Sequence, residues 1–331
     1  MSDIKLYDLV IIGGGPTGIS CAIAAANKGL QYVVLEKGVL VNSLYHFPTN
    51  MTFFSTSKNL EIGDIPFISH NEKPTRKEAL EYYRRLAHHY QLNIIYKQKA
   101  QEVTRGEDGS FHIATPTADY VSRNVVIATG FYDNPRSLDV PGADLPKVKH
   151  YYDDPHPYID MNVLVLGGAN SACDVALETW AHGAQVTMAI RKPALYPRVK
   201  YWILPNIQNR IKEGSIKAHF ETELTEITED AVTLRTPSGL VTMANDYVLA
   251  MIGYEPDYAL LDQLGVSYKD DEHHVPTHDA DTCESNVKGV YLAGVLNGGK
   301  KTSSLFIENT RTHGEKIIAH ITGERADTAQ S

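Results

Sequence analysis

Asp8-Leu-Val-Ile-Ile-Gly-Gly-Gly-Pro-Thr-Gly18 runs straight on into Ile-Ser-Cys-Ala-Ile-Ala-Ala-Ala26. An apolar run thus ends in Gly13-x-Gly15-x-x-Gly18 and turns at once into an Ala-rich helical stretch. The three glycines do separate jobs: a tight turn, close approach of backbone to pyrophosphate, and close packing of helix on strand. Pyrophosphate would then sit on free N–H groups at the positive end of the helix dipole. Eighteen residues beyond Gly18, Glu36 closes a second apolar strand, Tyr32-Val-Val-Leu35. A carboxylate there accepts hydrogen bonds from ribose hydroxyls and repels a 2′-phosphate. The stretch predicts a dinucleotide-binding βαβ unit for an unphosphorylated adenosine.

Working outward, the chain of 331 residues is near the limit of a single core, so two domains are expected. With 43% hydrophobic and 21% charged residues it can bury a sizeable core. A net charge of −9 argues against nucleic acid or an anionic membrane as partner. Three cysteines point to a reducing cytoplasm without structural disulfides. The N-terminus lacks a basic-then-apolar signal pattern. Residues 9–27 are uncharged for long enough to span a bilayer, but three consecutive glycines and Pro16 break the run. A soluble protein is expected.

After Glu36, Ser43-Leu-Tyr-His-Phe-Pro-Thr-Asn-Met-Thr-Phe-Phe54 is aromatic, hydroxyl-rich and aperiodic, which suits a loop against a flat ring or an ordinary surface-to-core connection. Thr75-Arg-Lys-Glu78 is a capping box, opening a helix with Leu80, Tyr83 and Leu86 on one face. Asn93–Tyr96 predicts a third strand, and residues 100–127 an antiparallel meander around Gly106–Gly109, ending in Val125-Val-Ile-Ala-Thr-Gly130. The Pro-rich stretch from Pro135 to Pro157 reads as a crossing between domains.

The opening pattern then recurs. Asn162–Leu166 is a strand, Gly167-Gly-Ala-Asn-Ser-Ala172 a dinucleotide turn, Cys173–His182 a helix and Ala184–Ile190 a second strand. Where the first copy has Glu36, this one has Arg191-Lys192, cations that pair with a 2′-phosphate. The first unit should therefore hold an unphosphorylated adenosine and the second NADPH. The first domain resumes with the strand Gly289–Gly294 and a helix starting near Thr302-Ser-Ser304, whose apolar face carries Ile317, Ile318 and Ile321.

The chain as a whole resembles the thioredoxin reductase-like flavoproteins with two dinucleotide-binding domains. The matching stretches are Gly13–Gly18, Ala128-Thr-Gly130, Gly167–Ala172, Ile252-Gly-Tyr-Glu-Pro256 and Gly289–Gly294. The resemblance implies an α/β fold of two Rossmann-like, three-layer ββα domains, the NADPH domain inserted in the FAD domain. Residues 1–155 and 283–331 would form the FAD-binding domain and 158–281 the NADPH-binding domain. It implies FAD at Gly13, Gly15, Pro16, Thr17, Gly18, Glu36, Lys37, Tyr45, His46, Val103, Ala128, Thr129, Gly130, Gly294, Thr302 and Ser303, with the last helix pointing its N-terminus at the flavin. NADPH would lie at Gly167, Gly168, Ala169, Asn170, Ser171, Ala172, Arg191 and Lys192. No metal is expected.

Thioredoxin reductases proper carry a Cys-x-x-Cys about a dozen residues before the second glycine turn, where this chain has His150-Tyr-Tyr-Asp-Asp-Pro-His156. Cys21, Cys173 and Cys283 have no redox spacing, so a conventional thioredoxin reductase is disfavoured. Closer is the resemblance to the YpdA-type bacillithiol disulfide reductase family. It rests on Ser43–Ser55, Lys73-Pro-Thr-Arg76, His150-Tyr-Tyr152 with His156-Pro-Tyr158, and Ala293-Gly-Val295. It implies NADPH-driven reduction of bacillithiol disulfide, an anionic malate glycoside dimer, through FAD, in an enzyme of redox homeostasis. Many members have Cys after Gly-Gly-Gly-Pro; this chain has Thr17, which cannot form a mixed disulfide, so direct contact between substrate disulfide and flavin is expected. Catalytic candidates are Thr17, His46 and His156, the histidines as proton donors to a leaving thiolate. Lys300, Lys301 and Arg311 are the candidate substrate anion contacts. A small redox protein is a second candidate partner, and a homo-oligomer is expected.

Three other readings stay open. A ferredoxin or flavodoxin NADP reductase shares the architecture and also lacks the thiol pair. A flavin monooxygenase shares Asn170-Ser-Ala172, but Pro146 stands where its Phe-x-Gly-x-x-x-His motif needs glycine. A non-catalytic flavin redox sensor would need an interaction domain that the sequence does not show.

Overall fold

A computed structural model describes residues 5–324. They form two compact units: residues 5–45, 51–134 and 254–324 make the first, and 46–50 with 135–253 the inserted one. The first begins β1 (Leu6–Ile12), α1 (Pro16–Asn27), β2 (Tyr32–Glu36), α2 (Asn42–Tyr45), α3 (Arg76–His89) and β3 (Ile94–Tyr96). There follow β4 (Glu102–Arg105), β5 (Phe111–Ala114) and β6 (Asp119–Ile127). Thr75 caps α3 through the expected reciprocal box with Glu78, though the buried face is Ala79, Tyr82, Tyr83, Leu86 and Ala87, with Leu80 only half-buried.

The inserted unit supplies β7 (Val148–Lys149), β8 (Asn162–Leu166), α4 (Asn170–Ala181), β9 (Gln185–Ile190), α5 (Leu204–Lys212) and β10 (Lys217–Phe220). Its last strands are β11 (Glu223–Ile227), β12 (Ala231–Thr236), β13 (Gly239–Ala244) and β14 (Tyr247–Ala250). The chain then returns to the first unit with α6 (Ala259–Gln263), β15 (Val290–Leu292), α7 (Ile307–Thr310) and α8 (His313–Thr322).

In the first unit the sheet runs β3-β2-β1-β6-β5-β4. On the edge away from β1, β6 serves two neighbours: its first half pairs antiparallel with β5 and its second half parallel with β15. The sheet therefore forks, as the meander expected over 100–127 leaves the parallel layer. Alternation along β1 divides two cores. Leu9 and Ile11 pack with Cys21, Ala22, Ile317 and Ile318, while Val10 and Ile12 join Val103, Phe111 and Ile113. Helices cover one face and the meander lies against the other, giving three ββα layers.

The inserted unit repeats the plan. Its parallel sheet runs β10-β9-β8-β14-β7, with a separate meander β11-β12-β13. Val163, Val165 and Met188 face the helix side with Cys173, Ala176 and Ile207. Leu164 and Leu166 face the meander side with Leu224, Ile227 and Leu234. This is the doubled Rossmann-like fold that the two glycine turns predict.

The division of the chain differs from the expected one. Residues 135–155 belong to the inserted unit: β7 extends its sheet beside β14, and the Ile227 N–H donates to the Pro141 carbonyl over 2.9 Å. Residues 254–282 belong to the first unit, where Leu261 and Val266 lie in the core beside β4 and β5. Loop composition signalled a crossing but not which core the crossing segments join.

Candidate dinucleotide sites

β1 lies between β2 and β6, with Ile12 in register with both Leu35 and Ile127. Gly13 therefore leaves the sheet where neighbouring strands diverge, the switch point at which open α/β sheets bind ligands. Its φ is +114°, and a Cβ would lie 2.4 Å from the Ala128 carbonyl oxygen. A Cβ on Gly18 would come within 1.9 Å of the Gly13 oxygen, so helix and turn touch backbone to backbone. At Gly15 a Cβ would meet nothing within 4 Å, leaving open space over the turn. Gly15 caps α1 without a side-chain hydrogen bond, and Pro16 opens the helix without needing a partner for an N–H.

Glu36, 4% exposed, accepts from the Gly14 N–H on Oε2 and from the Gly38 N–H on Oε1, each over 2.7 Å. Burial pushes its carboxyl above the usual range, the two backbone donors opposing. Each oxygen keeps a second lone pair for a ligand hydroxyl. Lys37 is paired with Asp133 at 2.9 Å. Thr129 Oγ1 and Asn297 Oδ1 are buried with no hydrogen-bond partner among the described residues. A glycine cradle open at Gly15, a carboxylate at the second strand end and orphaned polar atoms fit an adenine dinucleotide with a polar head group.

Gly294 follows β15 with φ +84°, and a Cβ there would lie 3.1 Å from Thr17 Oγ1. Thr17 Oγ1 is 3.1 Å from Thr310 Oγ1, which donates its only proton to the Phe306 carbonyl over 2.8 Å; Thr17 is therefore the donor. The helix expected from Thr302 is not continuous. Thr302–Ser304 form a turn, because Asn309 accepts from the Phe306 N–H over 2.7 Å and starts α7 at Ile307, and α8 begins only at His313. Thr302 and Ser303 therefore stand outside any helix N-terminus.

Other expected residues are placed as follows. Ala128 follows β6 directly, and Gly130, with φ +70°, has the Val295 side chain beside it. Val103 is fully buried in the core, its N–H donating to Gln263 Oε1 over 3.0 Å. Tyr45 is half exposed under Arg76, which also binds its carbonyl. Lys300 lies 3.7 Å from Glu255, Lys301 is exposed, and Arg311 Nη1 donates to the Lys58 and Glu61 carbonyls. His46 is exposed in a stretch bound to the inserted unit by the Thr49 N–H to the Asp153 carbonyl, 2.8 Å. His156 is exposed at the head of a 3₁₀ turn.

The second turn repeats the first. Gly167 has φ +118°, and a Cβ would lie 2.6 Å from the Met251 carbonyl oxygen. Gly168 faces Ile190, and Ala172, fully buried, fills the third glycine's place. Ala169 caps α4 without a side-chain bond, Ser171 is exposed, and Arg191 and Lys192 stand exposed beyond β9. Asn170 Oδ1 accepts from the Lys200 N–H over 2.8 Å, and Lys200 Nζ pairs with Asp174 at 2.8 Å. Lys200, like Asn297 and His313, escaped the sequence reading, since long-range packing alone distinguishes it from other lysines.

All three cysteines are buried and free. Burial pushes the Cys173 thiol up to about 12 and Cys283 to about 11, and Cys21 higher still. None is a thiolate at neutral pH. Among the described residues no helix is long and apolar enough to cross a membrane, and no His/Cys/Asp/Glu group could hold a metal ion.

The sequence profile of the pyridine nucleotide-disulphide oxidoreductases matches residues 10–294. The chain is 43% identical to the bacilliredoxin reductase Bdr of Bacillus subtilis strain 168, over 94% of this chain and 96% of that one. The solved bacillithiol disulfide reductase Bdr (YpdA) of Staphylococcus aureus is 41% identical with a TM-score of 0.94, covering 97% of this chain and 99% of its own. The Bacillus cereus protein of the same name is 38% identical with a TM-score of 0.94, covering 96% and 99%. With the doubled ββα fold and two glycine turns, these likenesses make the chain a flavin-dependent disulfide oxidoreductase belonging to the YpdA-type bacillithiol disulfide reductase family of pyridine nucleotide-disulphide oxidoreductases.

Proposed function

We propose that this enzyme passes electrons from NADPH through FAD to a low-molecular-weight disulfide, bacillithiol disulfide being the first choice. The observation that carries the reading is the contrast between two otherwise equivalent turns. One ends its second strand in buried Glu36, the other in exposed Arg191-Lys192. A carboxylate matches a free ribose, and a cation pair matches a 2′-phosphate. FAD, when bound, supplies two-electron transfer between nicotinamide and disulfide. The protein's part is to hold the pyrophosphate against Gly13–Gly18 and Gly167–Ala172, with Glu36 on the adenosine ribose.

The buried cysteines favour a disulfide that meets the flavin directly. Thr17, whose hydroxyl already donates to Thr310, offers no sulfur for a relay. His46 and His156 are exposed, which suits delivery of a proton to a leaving thiolate. Lys301, and Lys300 beside Glu255, supply positive charge for an anionic substrate. A homo-oligomer in the cytoplasm belongs to the same reading. A second acceptor has specific support: the Bacillus subtilis relative is named a bacilliredoxin reductase, so an oxidised bacilliredoxin is the alternative acceptor.

Anaerobic mixing with NADPH, followed by one acceptor at a time, tests the proposal. Reoxidation of the flavin by bacillithiol disulfide supports the first reading, and by an oxidised bacilliredoxin the second. Reoxidation only by ferredoxin, or only by oxygen with a substrate oxygenated, would overturn both. The nicotinamide assignment has its own test. Arg191→Ala should raise the KM for NADPH tenfold or more, as a roughly 1.5–3 kcal/mol charge-assisted contact predicts, and leave NADH little changed. Equal weakening of the two would refute it.

A further inference from the structure

Gly294 is held from two sides within the first unit. Its N–H donates to Nδ1 of His313 over 3.2 Å, and its α-carbon faces the Thr17 side chain. Around this point α1 is fastened to the C-terminal segment. Thr17 donates to Thr310, Ser20 Oγ donates to the Arg311 carbonyl, and Gly314 lets α8 meet the Ser20–Cys21 backbone, where a Cβ would lie 2.5 Å away. The helix that opens on the first glycine turn and the Gly294–Gly298 turn are thus parts of one clamp.

The chemistry of the clamp dictates the state of the ring. Nδ1 can accept only when it carries no proton, so His313 must be neutral with its hydrogen on Nε2. Its surroundings agree: the ring is 8% exposed, and burial, with Lys316 on its own helix and His278 ahead of β15, holds its pKa down at about 4. The neighbouring elements add Cys21 on α1, Glu308 on α7 and Tyr291 on β15 as titratable groups. Cys21 and Tyr291 stay protonated at neutral pH because burial raises both.

We propose that His313 is a positioning residue for the flavin: its unprotonated Nδ1 fixes the Gly294 amide, and with it the Gly294–Gly298 turn, in the arrangement that binds FAD. The inference rests on the cofactor reading above. It assigns His313 no contact with substrate or reacting atoms.

The test is reconstitution of flavin-stripped protein with FAD, for the wild type, His313→Leu and His313→Asn. Asparagine puts an acceptor oxygen where Nδ1 stands and does not titrate; leucine fills the space without an acceptor. At pH 7.5, His313→Leu should bind FAD about tenfold more weakly or worse, and His313→Asn within about threefold of wild type. As pH falls from 5.5 towards 3.5, through the depressed pKa of the ring, wild-type affinity should fall several-fold and His313→Asn should stay flat by comparison. Unchanged affinity in His313→Leu, or identical pH profiles for wild type and His313→Asn, would overturn the proposal while leaving the cofactor reading intact. A wild-type protein that takes up no FAD would remove both. If His313→Leu does not fold, ring nitrogen NMR of the wild type still decides, since a proton on Nδ1 at pH 7.5 is incompatible with the clamp.

Discussion

Glu36 holds the fold by hydrogen bonds and carries the ribose contact proposed above. Its two oxygens already hold the Gly14 and Gly38 amides, so it shapes the glycine turn before any ribose arrives. Glu36→Gln keeps the shape but turns one amide N–H donor towards a backbone donor. A mismatch of that kind costs about 1–3 kcal/mol. FAD affinity should therefore fall roughly tenfold or more, measured by flavin retention on dilution; retention at the wild-type level would show that the carboxylate is dispensable. Arg191 is the opposite case, an exposed residue whose proposed role is towards a ligand phosphate, so its loss should leave thermal stability unchanged within about 0.5 kcal/mol.

Among the elements, the packing of α8 on α1 carries the most consequence. Gly314 sits where a Cβ would meet backbone atoms of Ser20 and Cys21 at 2.5 to 2.7 Å, contacts that no rotamer change can relieve. Gly314→Ala should push the helices apart and lower stability by about 1–3 kcal/mol, the usual cost of overpacking, read from the urea midpoint. Ala319→Gly, in the same helix and half-buried, should cost only about 1 kcal/mol through helix propensity. Comparable losses in flavin binding for the two would argue against a special role for the α1–α8 contact. The separation of α7 from α8 has a local cause as well. Asn309 caps the backbone at Phe306 and also donates to the Ser304 carbonyl over 3.1 Å, so a helix cannot run through from Thr302.

At the scale of the whole molecule, the buried groups set the response to acid. His313 has its pKa depressed from 6.5 to about 4 in the folded protein. Its contribution to stability is therefore complete above pH 6.5 and lost progressively as pH falls to about 4, because the unfolded chain binds the proton first. The full effect is on the order of 3 kcal/mol. Glu36, raised by burial, works in the opposite sense: protonation of its carboxyl favours the folded state as pH falls. The difference in stability between wild type and His313→Asn, measured by urea unfolding at pH 7 and pH 4.5, isolates the histidine. That difference should narrow by roughly 1–3 kcal/mol in acid, and a constant difference would mean that the ring is not buried neutral.

The amino-acid sequence alone determined the parts whose physics is local. The glycine turns, the capping box at Thr75, the strand alternations and the contrast between Glu36 and Arg191-Lys192 follow from backbone sterics, helix termini and charge within a few tens of residues. Tertiary structure decided what depends on contacts between distant segments. Pro-rich composition at 135–157 marked a connection, yet β7 joins the inserted sheet only because β14, a hundred residues on, lies beside it. Nothing around His313 distinguishes it from His320 in sequence. Its neutral state and its hold on Gly294 exist because folding brings α1, β15 and α8 together and removes the ring from water.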